Sequence, residues 1–396
     1  DAASEIAFDF IGADAGSIDS GPSLLADNAP MFGEPLCKRD LRCALLLARK
    51  RGVPFLIGSC GGSGTDASVD WFAQLVREIA GEEGMSPFRM ARIYSEPDRD
   101  YLCEKIDAGL VEPLEGGNFN YDADAVRRST RIVSVMGVEP FVAALKGGAD
   151  VVLAGRTTDS AIFAALPLMR GYPASQAWHA GKVAECGGAI GEPARPDLLR
   201  VTLDDEGGFD VMTLAPDSRC TPWSVAAHQL YENADPFRFT EPAGTLDASA
   251  ATFDASSDRS VRIQGGSFDL AQAHTIKLEG VEPAGFQSLS MGAYNDPVLL
   301  AELPEWRERL KLEIASKLRR VYGDEADAAT VTIHIYGGGA GCDLFGALAD
   351  RTGGREAFLL LDVVAPTQKL ATSAATIGWH TMIHLPPRGW SGSFVT

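Results

Sequence analysis

The sequence lacks the features that mark several large classes of protein. Its 396 residues contain no apolar run close to the ~20 residues of a membrane span. Its seven cysteines are scattered and form no C-x-x-C pair, which is typical of reduced cytosolic thiols and argues against a zinc site of paired thiolates. With 35 basic and 54 acidic residues the net charge is −19, which argues against non-specific binding to nucleic acid or anionic membranes.

The composition that remains is that of a globular protein. Hydrophobic residues make up 45% of the chain and charged residues 22%, so the chain is long and apolar enough for two or three cores. The first residues do not read as a secretory signal, and we expect a cytoplasmic protein. For a cytosolic enzyme of this size we expect a homo-oligomer.

Apolar strand candidates alternate with helical stretches through the first half of the chain. This alternation predicts an α/β, Rossmann-like domain over residues 1–195, with a mostly parallel sheet and helices on both faces. Beyond it the alternation stops, and the strand candidates at 198–203 and 209–214 flank a turn as in a hairpin. We therefore predict an α+β second domain over residues 196–396 that completes the site.

The central stretch is a strand, a glycine-rich turn and a helix. Residues 53–57 read as a buried strand, and residues 58–64 as the turn. Either Thr65 or Asp66 is the expected N-cap of the helix. The apolar residues that recur on one face of this helix are Val69, Phe72, Ala73, Val76, Ile79 and Ala80.

The turn can serve a ligand or only the fold. A strand that enters a helix through glycines directs backbone N–H groups towards a bound anion. Such a cradle for a substrate anion would consist of Ser59, Gly61, Gly62 and Ser63. The alternative is that the glycines only permit a tight turn and close packing of the helix.

Two further interpretations of the turn stay open. The pattern Gly62-x-Gly64-x-x-Ala67 fits a loose dinucleotide fingerprint, but the acidic residue expected about 20 positions later is missing. No Gly-Lys-Ser/Thr follows, which excludes a nucleoside triphosphate P-loop. The pattern Gly58-x-Cys60-x-Gly62 is a cysteine version of the nucleophile elbow and would make Cys60 a catalytic thiol.

Two other predicted strand ends carry polar residues. In open α/β sheets ligands lie beyond the carboxyl ends of the strands, so we predict that residues 12–21, 58–66 and 155–159 form one substrate site. Asn118, in a polar turn, is a further binding candidate. The candidates on the two other strand ends are Asp14, Ser17, Asp19, Arg156, Thr157, Thr158 and Asp159.

Acid–base candidates follow later in the chain. Glu185 precedes Cys186, and because a neighbouring carboxylate raises the pKa of a thiol, we prefer Glu185 as a general base and Cys186 as packing. His228 and Glu232 have i,i+4 spacing, which is typical of an acid–base pair and equally of a histidine satisfied inside a fold. Glu185 has the alternative of a surface residue at a helix end.

Metal and cofactor requirements are not evident from the sequence. His380 and His384 have i,i+4 spacing, but no Glu lies between them and two prolines follow. We predict no metal ligands and no required cofactor, with acyl-CoA as a possible form of the substrate.

Four ordered segments resemble the acyclic terpene utilisation A (AtuA) family. The resemblance extends from about residue 8 to about residue 391. It implies a bacterial cytosolic protein in the catabolism of branched acids and terpenoids, and some members are paired with a small partner domain or subunit. The segments are ADVVLAGRTTDSAIFAALPL, AGKVAECGGAI, CTPWSVAAHQLYENADPFRFTEPAGTLD and HIYGGGAGCDLFG.

Together these residues favour a lyase of the hydratase or dehydratase type. Arg156 and the glycine turn would hold a small carboxylate or acyl thioester, and Glu185 or His228 would move a proton. One alternative is a hydrolase with Cys60 as nucleophile and His228 as base. Another is a non-catalytic subunit that needs a small partner chain.

Overall fold

The structure is a computed structural model, and it describes residues 6–16, 21–114, 122–231, 233–337 and 356–388. The chain divides into two compact units, residues 1–282 and 283–396. The predicted domain boundary near residue 195 lies inside the first unit, where the parallel sheet gives way to antiparallel ones.

The described elements of the first unit include one short 3-10 helix, Gly187–Ile190. Its strands are β1 (Ile11–Gly16), β2 (Phe55–Gly62), β3 (Met90–Ile93), β4 (Arg131–Val135), β5 (Val151–Ala154), β6 (Leu199–Leu203), β7 (Phe209–Thr213), β8 (Arg238–Glu241), β9 (Gly244–Asp247), β10 (Thr252–Ala255), β11 (Ser260–Gln264), β12 (Ser267–Leu270) and β13 (Lys277–Val281). Its helices are α1 (Ser23–Asp27), α2 (Glu34–Arg51), α3 (Asp66–Glu82), α4 (Arg99–Asp107), α5 (Ala123–Arg128), α6 (Glu139–Lys146), α7 (Asp159–Met169), α8 (Ala174–Ala184) and α9 (Pro222–His228).

The predicted parallel sheet is confirmed, with the strand order β1-β2-β5-β3. Successive residues of β2 enter different cores, because side chains alternate across a strand. Phe55 and Ile57 pack with α2 and α3, whereas Leu56 packs with α6 and α7 on the other face. Burial on both faces explains why this strand reads as a continuous apolar run.

The remaining sheets of the first unit are antiparallel. The predicted hairpin is confirmed, since β6 pairs with β7 around the turn at 204–208. The strand orders of these antiparallel sheets are β10-β11-β7-β6, which includes the hairpin, β12-β9-β8 and β13-β4. The pairing of β13 with β4 matters for the site, because it brings residues 277–281 close to the carboxyl end of the parallel sheet.

The second unit is a three-stranded antiparallel sheet with helices. Alternate residues of its central strand, Leu359, Leu361 and Val363, are fully buried in a core that also includes residues of its two long helices. No described helix of the chain has both the length and the apolar character needed to cross a membrane. The described elements of the second unit are β14 (Phe286–Tyr294), α10 (Pro297–Ala301), α11 (Leu303–Tyr322), the 3-10 helix Gly323–Ala328, β15 (Thr330–Gly337), β16 (Ala357–Ala365) and α12 (Gln368–His384).

Candidate functional site

Three strand ends meet at one edge of the parallel sheet. Strand β2 pairs with β1 on one side and with β5 on the other. In the last part of β2, Ser59 N–H donates to Gly155 O over 3.0 Å, and after β5 Arg156 N–H donates to Gly64 O over 3.0 Å. The predicted proximity of residues 12–21, 58–66 and 155–159 is therefore confirmed for their described members.

The glycine turn is packed directly against the segment after β5. Gly64 has a φ of +67°, and a Cβ there would lie 2.4 Å from Arg156 N. Only glycine fits this close approach of two backbones. Helix α3 begins after Thr65, whose hydroxyl accepts from Ser68 N over 3.1 Å, which decides between the two expected caps. Packing alone therefore explains Gly64.

The four members of the predicted cradle, Ser59, Gly61, Gly62 and Ser63, are buried. Gly61 and Gly62 have φ angles of +77° and +108°, and a Cβ at Gly61 would lie 2.9 Å from Ser68. The Ser63 hydroxyl is buried and has no hydrogen-bond partner among the described residues. The turn thus combines tight packing with one unsatisfied buried donor, which is a feature of sites that receive a ligand or an ordered water.

Ser59 has an unusual backbone conformation at the end of β2. Its φ is +49°, a left-handed value that is rare for residues other than glycine. Its hydroxyl accepts from Arg156 Nη1 over 3.1 Å and from Thr157 N over 3.3 Å. Gly16 makes room for it, because a Cβ at Gly16 would lie 2.2 Å from Ser59 Cβ. Such strain is concentrated at functional sites.

Arg156 is held inside the protein by carboxylates. Its Nε donates to Glu279 Oε2 of β13 over 3.1 Å, and its Nη1 lies 4.0 Å from Asp159 Oδ1. The residue is only 8% exposed. Two protein carboxylates thus already neutralise the guanidinium that the sequence predicts as an anion anchor, so its first role is to position the strand ends.

The two threonines after Arg156 bond in different directions. The Thr157 hydroxyl donates to Met136 O over 2.8 Å, inside the fold. The Thr158 hydroxyl donates to Glu241 Oε2 over 2.7 Å instead of capping α7, whose N-cap position it occupies. Thr158 thereby ties the end of β5 to the end of β8.

Four carboxyl groups influence one another at this edge. Burial, then the negative charges of Asp159 and Glu185, raise the pKa of Asp14 to about 8, against the Gly16 N–H and Arg156. Burial, with Glu185 and Asp159, raises the pKa of Glu241 to about 7 in spite of hydrogen bonds from threonine and serine hydroxyls. Near neutral pH the Asp14 carboxyl therefore retains its proton, and the Glu241 carboxyl is about half protonated.

A second cluster lies where α8 and α9 end. Glu185 is the C-cap of α8, Cys186 follows it, and His228 is the last residue of α9. One carboxylate oxygen, the thiol sulfur and one imidazole nitrogen of these residues all lie within 4.8 Å of one another. Two residues 42 and 43 positions before His228 are thus brought beside it by the fold.

Lys182 sets the charge of this second cluster. Its ammonium forms an ion pair with Glu185 in which both side chains are 8% exposed, and it lies 3.5 Å from Tyr231 O. Burial and the charge of Lys182 lower the pKa of His228 to about 4, so the imidazole is neutral at pH 7. Because Glu185 also raises the pKa of Asp14 and Glu241, the two clusters are electrostatically one site.

The remaining predicted residues lie elsewhere. Cys60 is 0% exposed in the core between the sheet and α3, and burial raises the pKa of its thiol. The structure thus gives no support to Cys60 as a nucleophile. Four candidates lie outside the described residues: Ser17, Asp19, Asn118 and Glu232.

Sequence reasoning missed three charged members of the site. Lys182 lies three residues before Glu185, a spacing on one helical face that could have identified it. Glu241 is the last residue of β8, in a segment with no other local signal. Glu279 is 123 residues from Arg156 and reaches it only through the pairing of β13 with β4, which the sequence does not predict.

Fold and site together define an α/β protein whose ionisable side chains gather beyond the carboxyl ends of a parallel sheet. The model of a family described as "Acyclic terpene utilisation family protein AtuA" matches residues 16–340. The chain therefore belongs to the AtuA family, which confirms the resemblance seen in its sequence and implies a catabolic role. No curated protein and no solved structure matches the chain.

Proposed function

We propose that this protein is a catabolic lyase of the hydratase or dehydratase type that acts on a small carboxylate or an acyl thioester. The observation that carries the proposal is the carboxyl cluster. Near neutral pH Asp14 holds its proton and Glu241 is about half protonated, while the Glu185 carboxylate beside them is paired with Lys182. Groups of one type in different protonation states are what acid–base catalysis requires.

Dehydration needs one base and one acid. The base removes a proton α to the carbonyl, the electrons form the C=C bond, and the acid protonates the departing hydroxyl, which leaves as water. We assign the base to Glu185 or to the neutral imidazole of His228, and the acid to Asp14 or Glu241. Hydration is the same sequence in reverse.

Two cations, each paired with protein carboxylates, lie near the groups to which this reaction is assigned. The Lys182 ammonium lies beside Glu185, and the Arg156 guanidinium lies at the strand ends. Buried cations stabilise a developing negative charge more than they would in water. The burial of Cys60 removes the main support for the cysteine hydrolase, whereas a non-catalytic subunit remains the competing proposal.

The first experiment screens ligands and then measures proton exchange. Small carboxylates, their CoA thioesters, NAD(P) and divalent metals would be tested for thermal stabilisation of the full chain. For each acid or thioester that stabilises it, exchange of the α proton in D₂O would be followed by mass spectrometry. We expect Glu185→Gln to slow this exchange by about 10²–10⁴-fold, and Asp14→Asn to slow the loss of water from the same compound by a similar factor.

The matched control is Glu356→Gln, an exposed carboxylate of the second unit. It is expected to exchange the α proton at the wild-type rate. Wild-type exchange in Glu185→Gln would contradict its assignment as the base, and wild-type loss of water in Asp14→Asn would contradict its assignment as the acid. Stabilisation by NAD(P) alone would contradict the lyase, and no stabilisation by any compound would favour the subunit that needs a partner chain.

A further inference from the structure

The cluster at the ends of α8 and α9 contains one oxygen, one sulfur and one nitrogen ligand atom. We propose that Glu185, Cys186 and His228 bind a divalent transition metal ion of the zinc class. Zinc binds these three donor types at about 2.0–2.3 Å, so donors on one ion lie roughly 3.5 Å apart. The three ligand atoms lie within 4.8 Å of one another, and small side-chain rotations would shorten this spacing to the value for a bound ion.

His228 supplies the second, independent observation. Its Nε2 is buried and has no hydrogen-bond partner among the described residues. A buried polar atom without a partner is destabilising, and coordination of a metal would give this nitrogen a partner. This imidazole is thus available for a ligand that the fold itself does not provide.

The helix ends that carry the three ligands are fixed to each other. Gln229, next to His228, lies with its Nε2 2.8 Å from His179 Nε2 on α8, and both residues are buried. This contact joins the end of α9 to α8, which carries Glu185 at its C-cap. A metal site needs such preorganised ligands, because loosely held side chains lose affinity.

One ion pair lies beside the three ligand atoms, in which the Lys182 ammonium faces the Glu185 carboxylate. In the metal-free protein Lys182 neutralises Glu185, and a bound metal would take over that contact. Three protein ligands with an open fourth position are the pattern of catalytic rather than structural zinc.

The test uses Co²⁺ as a spectroscopic probe of the reduced full chain after treatment with EDTA. We expect one equivalent to bind and to give a thiolate-to-cobalt charge-transfer band. Cys186→Ser should lose this band, and His228→Gln should bind about 100-fold or more weakly, since even indirect metal contacts contribute 10–100-fold. Lys182→Met should bind more tightly, because the competing ammonium is gone.

The control variants are Cys43→Ser and His274→Gln, which remove an exposed thiol and an exposed imidazole elsewhere. Both should keep the wild-type band and affinity. A measurement on wild type alone guards against misfolded variants: Zn²⁺ should protect Cys186 from iodoacetamide, as read by peptide mass spectrometry. Absence of stoichiometric Co²⁺ binding, or alkylation of Cys186 unaffected by Zn²⁺, would overturn the inference.

The inference is tested apart from the proposed lyase reaction, although a metal ion bound by Glu185 and His228 would occupy both groups assigned there as the base. Metal binding is read without a substrate, so it can fail while α-proton exchange succeeds. Conversely, a protein that binds Co²⁺ through Cys186 but exchanges no α proton would refute the lyase and retain the metal site.

Discussion

Each of the two units has a threonine at the N-cap position of a helix, and the two threonines make different hydrogen bonds. In the first unit Thr158 occupies the N-cap of α7, but its hydroxyl donates to Glu241 and does not cap the helix. In the second unit Thr367 caps α12 in the ordinary manner and accepts from Leu370 N over 3.2 Å. The same residue type thus serves a site in one unit and the fold in the other.

Sheet topology explains this difference. Parallel strands all end at one edge, so the polar residues after β1, β2 and β5 come together there. The strands of the second unit are antiparallel, and successive ends lie at opposite edges. Polar groups at the ends of successive strands therefore do not come together at one edge, and the buried side chains of β16 are apolar.

The largest effect is expected from breaking the buried ion pair of the first unit. Arg156→Met removes the partner at Glu279 Oε2 and leaves this carboxylate with the Lys277 ammonium, 3.5 Å from Oε1. Breaking such a pair should lower the free energy of unfolding by up to about 3–5 kcal/mol. Urea unfolding would measure it, and the double variant Arg156→Met/Glu279→Leu should recover most of the loss. Arg319→Met, which removes an exposed pair of the second unit, should change little. Equal effects of Arg156→Met and Arg319→Met would refute the distinction.

In the second unit the largest loss should come from removing apolar volume. Leu361 is 0% exposed and packs against Gly378 of α12, where a Cβ would lie 2.0 Å from Leu361 Cδ2. Leu361→Ala should lower the free energy of unfolding by about 2–5 kcal/mol, independently of pH. Urea unfolding at pH 6 and pH 8 would measure both, with the exposed Leu312→Ala as control. A loss that changes with pH would contradict a purely apolar core here.

The stability of the first unit should instead depend on pH through Asp14. Its pKa is about 8 in the folded protein and has an ordinary value of 3.8, so the folded state binds more protons between these values. This contribution is complete below pH 3.8 and is lost as pH rises towards 8, by at most about 1.4 kcal/mol per pH unit.

Asp14→Asn removes this contribution, so the free energy of unfolding should fall less steeply from pH 5 to pH 8. Urea unfolding at four pH values would measure the slope. Asp254→Asn, an exposed carboxyl of the same unit, is the control and should retain the wild-type slope. An unchanged slope in Asp14→Asn would show that this carboxyl is ionised in the folded protein.

The smallest effects are expected at the two threonines. Thr367→Ala removes a helix cap and should cost about 1 kcal/mol at every pH. Thr158→Ala removes a donor to Glu241, which matters most for the ionised carboxylate, so its cost should grow as pH rises through about 7. Thermal unfolding of both variants at pH 6 and pH 8 would compare them, and identical pH behaviour would refute the difference in role.

Local patterns predicted the elements and much of the strand-end geometry. The buried strand and helix of the central stretch, a cap at Thr65 or Asp66 and the parallel sheet follow from periodicity and turn chemistry over short distances. The strand is longer than predicted, because β2 continues to Gly62 through most of the predicted turn. The carboxylates that complete the site could not be predicted from such local patterns. Glu279 and Glu241 come from strands far along the chain, and their positions depend on antiparallel pairings that leave no local signal.

The ion pair of Arg156 with Glu279 also could not be predicted from the sequence. An arginine after a strand reads the same whether it awaits a ligand or already has a carboxylate, because the partner is 123 residues away. Similarly, the proximity of Cys186 to His228 depends on where α8 and α9 end. Such long-range meetings are set by tertiary packing.

The protons held by Asp14 and Glu241 make this site a small buffer. An anion that enters it will draw further protons from solution, whereas a cation will expel those already held, because each changes the field at the carboxyl groups. In titration calorimetry the apparent heat of binding should therefore vary with the ionisation enthalpy of the buffer. The sign of that variation reports the charge of the occupant before its identity is known.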